Sequence, residues 1–250
     1  MPNGLNFFED IERLENYLGL PKGGLANIPG YALPEAVSAI KKVQELERSR
    51  QFRPGLYYIV LADLMDATRF SNIFGNEALK RRIELFHIAC VQAIGELDLK
   101  NYVAFSKNIG DATLLIFSSF SDVYAWSNKL TSALEDLSDA YEAEFEFDHG
   151  TELSESDSKR LAFLARRLVH LGEVSYIKDI DPVSLAVSQT FHLEKNFKKT
   201  ELGCTEIVVD AITPLLKELS AKAVDTGKKV NLSGSDRKIK SFYIVNDSAD

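Results

Sequence analysis

The sequence predicts an α+β fold built on one central, mostly antiparallel sheet. Three observations predict it. An apolar run, Leu56–Ala62 (LYYIVLA), opens the main domain as a strand. A short connection, Asn108-Ile109-Gly110-Asp111, joins two further strand-like runs as a hairpin. Strand-like and helix-like stretches then alternate in the order β-α-β-β-α-β-α-β-β, once a short helix near Val208 is set aside.

Each element has its own signal. Leu56–Ala62 is rich in β-branched and aromatic residues and reads as a buried strand. A long helix, about Asn76–Leu97, carries Leu79, Ile83, Phe86, Val91 and Ile94. Tyr102–Lys107 and Ala112–Phe117 are the hairpin strands, and a helix runs from Phe120 to about Tyr141. The stretch EFEFDHGTELSESDSKR that follows is polar and acidic and reads as a flexible loop with solvated charge. Ala162–Val174 resumes strand character. Ser184–Lys195 reads as a helix after a turn at Asp181-Pro182, and Val208–Leu219 as another, with Pro214 at its start or at a kink. The final KVNLSGSDRKIKSFYIV reads as two strands around Ser233-Gly234-Ser235-Asp236.

Residues 1–53 form a separate N-terminal helical extension, and residues 54–250 the main domain. Phe8, Ile11, Leu14 and Leu18 recur at helical spacing; Gly23, Gly24, Pro29 and Gly30 break the chain; Val37, Ile40, Val43 and Leu46 form a second stripe.

Composition excludes several classes. Of 250 residues, 45% are apolar and 26% charged, which supports a real core. With 29 basic and 37 acidic residues the net charge is -8, so the footprint of a nucleic-acid binder is absent. Cys90 and Cys204 lie in apolar surroundings and read as buried thiols in a reducing compartment, not as a zinc site or a disulfide. The N-terminus lacks the pattern of a signal peptide, and the longest apolar stretch, Leu56–Met65, is interrupted by Asp63 and too short for a membrane span. The expected location is cytoplasmic.

Two aspartates carry the chemistry. Asp63 ends the first strand, where its carboxylate and the Leu64 carbonyl can reach a ligand. Thr68 and Arg69 open the next turn, whose amides suit phosphate at a helix N-terminus. Asp111 stands at the tip of the hairpin that Gly110 permits. Taken singly, Asp63 reads as a helix cap and Asp111 as a turn residue. If the two strands are neighbours, the carboxylates lie side by side and repel unless a cation sits between them. Oxygen ligands of this kind suit Mg²⁺ or Mn²⁺.

At this point the sequence resembles the class III nucleotide cyclase catalytic domain over about residues 54–246. The motifs are Asp63-Leu64-Met65-Asp66-Ala67-Thr68 and Lys107-Asn108-Ile109-Gly110-Asp111, followed by Leu168–Val174, Asp181–Ser188 in part, and the closing strand-turn-strand. The resemblance implies a ferredoxin-like β-α-β-β-α-β core. It implies a homodimer with active sites at the interface, and two Mn²⁺ or Mg²⁺ ions per site held by Asp63, the Leu64 carbonyl and Asp111. It places Lys107 and Asp181 where purine cyclases read the base. It also shows departures: Ser188 stands for the family's Asn, His192 for its transition-state Arg, and Ser233, with Lys238 nearby, for its phosphate-binding Lys. Arg to His loses a permanent fork of donors, leaving Arg69 or Lys238 as substitutes.

These departures, the stand-alone chain and the N-terminal helices look like the pyrimidine cyclases of the Pycsar antiphage system. Those convert UTP or CTP to a 3′,5′-cyclic monophosphate that activates a separate effector. A bulky aromatic in the base pocket favours a small ring. Tyr58 is the favoured candidate, although strict strand alternation puts Tyr57 on the Asp63 face. The retained Lys107 and Asp181 point toward a purine. The expected function is therefore a metal-dependent pyrimidine nucleotide cyclase yielding cyclic UMP or cyclic CMP in antiviral defence. The alternatives are an adenylate or guanylate cyclase with a variant site and a degenerate cyclase fold kept for nucleotide binding or dimerisation; a polymerase-like palm is disfavoured by the acidic charge.

Overall fold

β1 (Gly55–Leu64) pairs antiparallel with β3 (Ala112–Phe117) on one side and with β4 (Ala165–Ile177) on the other. Ile59, Val60 and Ala62 are fully buried. A strand covered on both faces has no polar side to alternate with, which explains the unbroken apolar run. The computed structural model describes residues 54–95, 103–149, 154–177 and 181–247; the expected extension over 1–53 lies outside them.

The remaining elements are α1 (Ala67–Phe74), α2 (Asn76–Gly95), β2 (Val103–Ile109), α3 (Phe120–His149), α4 (Glu155–Leu161), β5 (Asp181–Val183), α5 (Leu185–Glu194), β6 (Leu202–Thr205), α6 (Glu206–Leu216), β7 (Ala221–Asn231) and β8 (Lys238–Asn246). The sheet order is β2-β3-β1-β4-β6-β8-β7, with β5 paired to β4. Only the β4–β6 pair is parallel among the described strands. The expected α+β class with a mostly antiparallel sheet is therefore what the chain adopts. The described residues form two units, one helical (66–95, 130–149 and 154–163) and one built on the sheet (54–65, 103–129 and 164–247).

In the sheet unit, strand alternation sorts side chains to two faces. Ile59 and Leu61 of β1 join Leu114, Ile116, Val174 and Ala186 in one cluster beneath α5, with Tyr57 packed against it. On the other face Tyr58 meets Phe120 of α3 at 5.6 Å between ring centroids. α5 is seated very close to β4: a Cβ on Gly172 would lie 2.2 Å from the Ala186 Cβ. Beside it His170 is 1% exposed, within 3.3 Å of Thr205 Oγ1 and Gln189 Oε1. Burial pushes its pKa down, against the opposing effect of its hydrogen bond to Gln189 Oε1.

In the helical unit Arg82 is 2% exposed and lies between the rings of Phe70 (4.4 Å) and Phe163 (4.6 Å). It donates to the carbonyls of Leu161 (2.8 Å) and Ala162 (2.5 Å). These are orphan acceptors at the end of α4, so the guanidinium acts as its cap. Burial pushes its pKa down to about 10, so it stays charged at neutral pH. Cys90 and Cys204 are buried, as expected.

Four expectations change. Where it is described, the acidic stretch after Tyr141 is largely helical: α3 continues to His149, and α4 covers Glu155–Leu161. Part of this helix packs inward: Tyr141 is buried, Phe145 meets Phe74, and Glu144 pairs with Arg81 at 2.5 Å, while Phe147 is exposed. Asp181-Pro182 is not a turn but part of β5, a three-residue strand on the edge of β4, where proline's missing N–H is tolerated. β6 was not anticipated; four residues carry no usable period. The last helix starts at Glu206, and Pro214 lies inside it near its end.

Two predictions follow from this packing. Gly172→Ala forces α5 off β4 and lowers the unfolding free energy by about 1–3 kcal/mol in urea denaturation. His170 is held neutral when folded, whereas an unfolded histidine protonates near pH 6.5. Acid therefore favours the unfolded chain: this contribution is present above about pH 6.5 and is lost as pH falls toward the lower folded pKa. Thermal melts of His170→Gln will show a shallower loss of stability than the parent over that acidic range.

Candidate active site

Asp63 is the penultimate residue of β1 and falls on the α5 face, in register with Ala112 of β3 and Arg166 of β4. Its side chain is 14% exposed. The β2–β3 hairpin turns at Gly110, whose φ of 62° lies in the left-handed region that glycine adopts without strain. Leu64 N then donates to the Asp111 carbonyl at 3.0 Å, fixing the hairpin tip beside the end of β1. Asp63 and Asp111 are thus neighbours in space, as expected if the strands were adjacent. Burial raises the pKa of Asp63 above the usual carboxylate range; the Arg166 hydrogen bond and charge oppose this, and the Asp111 charge adds to it.

Arg166 is a cation of this region. Its Nε and Nη2 both donate to Asp63 Oδ2, the Nε at 3.1 Å. The same Nε lies 2.9 Å from Oε1 of Glu194, the last residue of α5. That oxygen is buried and receives no hydrogen bond among the described residues. Burial raises the Glu194 pKa; Arg166 opposes, and the charges of Asp63 and Asp111 add to the rise. Sequence reasoning missed both residues. Arg166-Arg167 at the head of β4 was the available signal, since alternation sends successive arginines to opposite faces. Arg167 goes the other way and donates to the Ser127 and Thr200 carbonyls.

The donor set fits a hard divalent cation. Asp63, Asp111 and the Leu64 carbonyl offer oxygen only, and two adjacent carboxylates gain from a cation between them. Among the described residues no three His, Cys, Asp or Glu side chains are placed to hold one ion, so Glu194 does not complete a three-carboxylate cluster.

The other expected residues are dispersed. Thr68 and Arg69 are exposed in the first turn of α1, in the helical unit. Its N-cap, Asp66, is left-handed and makes no side-chain cap bond. Lys107 is exposed on β2 opposite Leu114, and Asp181 lies on β5 opposite Ile177; β2 and β5 are not neighbours. His192 and Ser188 are exposed on α5. The Ser233 carbonyl accepts from Gln189 Nε2 at 2.7 Å, tying the β7–β8 turn to α5, and Lys238 is exposed at the start of β8. Tyr58 lies on the face opposite Asp63, against Phe120, while Tyr57 shares the face of Asp63. No described helix is long and apolar enough to cross a membrane.

No protein-family model and no curated protein matches the chain. Solved structures do. The adenylyl cyclase CyaB from P. aeruginosa is similar over 79% of this chain and 97% of its own, at 13% identity and a TM-score of 0.55. An adenylate/guanylate cyclase/hydrolase from Silicibacter pomeroyi is similar over 78% and 99%, at 18% identity and a TM-score of 0.51. Adenylate cyclases from Trypanosoma brucei are similar over 76% and 89%, at 15% identity and a TM-score of 0.54. At such identities the likeness concerns the fold: this chain has the fold of adenylyl and guanylyl cyclase domains.

Proposed function

We propose that this chain is a divalent-ion-dependent nucleotide cyclase that converts UTP or CTP to the 3′,5′-cyclic monophosphate and pyrophosphate. The observation that carries the reading is the pair Asp63 and Asp111, set side by side at the end of β1 in a cyclase-fold sheet. With the Leu64 carbonyl they are the residues that would hold two Mg²⁺ or Mn²⁺ ions. When bound, such ions stabilise developing phosphate charge and lower the pKa of an attacking hydroxyl. In the reaction the ribose 3′-oxygen bonds to the α-phosphorus, its proton leaves, and the bond to pyrophosphate breaks.

The chain's own groups supply the rest. Arg166 brings a permanent fork of donors to the ion site and is suited to phosphate oxygens. Lys107 offers donors and Asp181 acceptors to a base edge. His192, exposed near the end of α5, would by the resemblance take the place of the transition-state cation. Tyr57 rather than Tyr58 is the aromatic that narrows the base pocket, because it shares the Asp63 face. The exposed positions of α5 and the hairpin tip form the site with a second copy of the chain, in a homodimer. A cyclic pyrimidine product suits a second messenger read by a separate effector, as in antiphage defence.

A purine substrate is the second reading. It is favoured by Lys107 and Asp181 and by the solved neighbours, which are adenylyl and guanylyl cyclases by name.

Purified protein given each of the four NTPs with Mn²⁺ will form cyclic UMP or cyclic CMP; cyclic AMP as the sole product rejects the pyrimidine assignment. Asp63→Asn and Asp111→Asn will each lower kcat by roughly 10²–10³-fold, the equivalent of about 3–4 kcal/mol of lost charge stabilisation. Unchanged turnover in both would mean a fold retained without this chemistry. Tyr57→Ala will raise the purine-to-pyrimidine ratio of kcat/KM by about tenfold, as for a small steric change in a pocket. A constant ratio would assign Tyr57 to packing alone.

A further inference from the structure

Asp63 Oδ2 accepts two N–H groups from Arg166. A carboxylate oxygen so occupied has little lone-pair density left for an ion, so an ion that takes Asp63 through Oδ2 competes with Arg166. Arg166 also has a second acceptor prepared. Glu194 Oε1 is buried, lies 2.9 Å from the Arg166 Nε, and takes no hydrogen bond, because the Nε hydrogen is directed at Asp63. A buried carboxylate oxygen left unmatched is costly and calls for a donor. A small rotation of the guanidinium supplies one. Glu194 does not join Asp63 and Asp111 in a three-carboxylate ion site. Its proximity to the site therefore runs through Arg166. Side-chain exposures of 14%, 24% and 16% for Asp63, Arg166 and Glu194 mean that solvent screens this exchange only in part.

We propose that Arg166 is the resident counter-cation of the ion-free site and that Glu194 is its positioning residue: when a divalent ion takes Asp63, the guanidinium transfers its hydrogen bonds to Glu194. The inference rests on Asp63 and Asp111 being ion ligands. It makes the strength of ion binding a property of the competition for Arg166, and it keeps the guanidinium at the rim of the site instead of losing it to solvent.

The test is Mn²⁺ binding to the full chain without nucleotide, followed by electron paramagnetic resonance of the free ion. Arg166→Met removes the competitor and tightens binding by about tenfold, whereas Glu194→Gln removes the alternative partner and weakens it by about 5–10-fold, the range of an ordinary coupling between sites. In the Arg166→Met background the Glu194→Gln effect shrinks to less than about twofold, which is the signature of action through another residue. Glu194→Gln weakening binding equally in both backgrounds would make it a direct contributor and overturn the handover. So would Arg166→Met binding no more tightly than the parent. A measurement on the unaltered chain guards against misfolded variants: the Arg166 ¹H–¹⁵Nε resonance will shift and saturate with Mg²⁺, and a resonance indifferent to Mg²⁺ overturns the proposal. If Asp63→Asn binds Mn²⁺ like the parent, the ion-site reading and the handover fall together. If it loses binding while Arg166→Met gains none, the handover alone falls.

Discussion

The backbone bond from Leu64 N to the Asp111 carbonyl, 3.0 Å long, is where the sheet becomes a site. It holds the tip of a hairpin against the end of the central strand. Side-chain direction on β1 is already set by alternation and by the buried cluster beneath α5. With Gly110 allowing the turn, the two aspartates have no freedom to separate. A register slip of one residue would move Asp63 to the other face. The core of β1 and the placement of its carboxylate are therefore one constraint: Ile59 and Leu61 hold the register that Asp63 needs.

Holding two acids together has an electrostatic consequence. Burial and the Asp111 charge both disfavour ionised Asp63, and Arg166 works against them. Glu194 is in the same position, burdened by burial and by the same two aspartates, and relieved by the same arginine. Arg166, with Lys198 acting on Glu194 as well, thus offsets the acids Asp63 and Glu194, beside Asp111, at the head of β4. This shortage of positive charge is a physical reason for a cation to be favoured there, apart from any likeness to other proteins.

How much of this was legible depended on sequence distance. β1 and the hairpin were readable because each is a local pattern: a continuous apolar run, then a glycine between two strands. Asp63 and Asp111 were marked as candidates because strand end and turn tip are positions that a linear reading can mark. Arg166 and Glu194 were not, because their meaning arises from a strand register and from the seating of α5, neither of which has a local signature. The acidic stretch after Tyr141 misled for a related reason. Its charges resemble a solvated loop until the packing of Tyr141 and Phe145 shows the helix beneath them. Tyr57 and Tyr58 show the converse. Alternation alone favoured Tyr57 for the Asp63 face, and the packing of Tyr58 on Phe120 agrees.

Two of the departures from the cyclase pattern, Ser188 and His192, lie on α5. The inward side of this helix carries Ala186, Gln189, Thr190 and Leu193, all buried. Ala186 occupies the space that Gly172 leaves open, and Leu193 packs with Leu168 and Phe197. Ser184 caps the helix by accepting from the amides of Ala186 and Val187. None of these features involves Ser188 or His192, which are exposed. Exposed positions of this kind can change residue type at little cost to stability. The packing that fixes α5, and with it Glu194 beside Arg166, is thus independent of the side chains that would meet a nucleotide. Under the proposed function, the ion-binding end would therefore be held by buried contacts, whereas the α5 groups that would face the substrate would be constrained only by its chemistry.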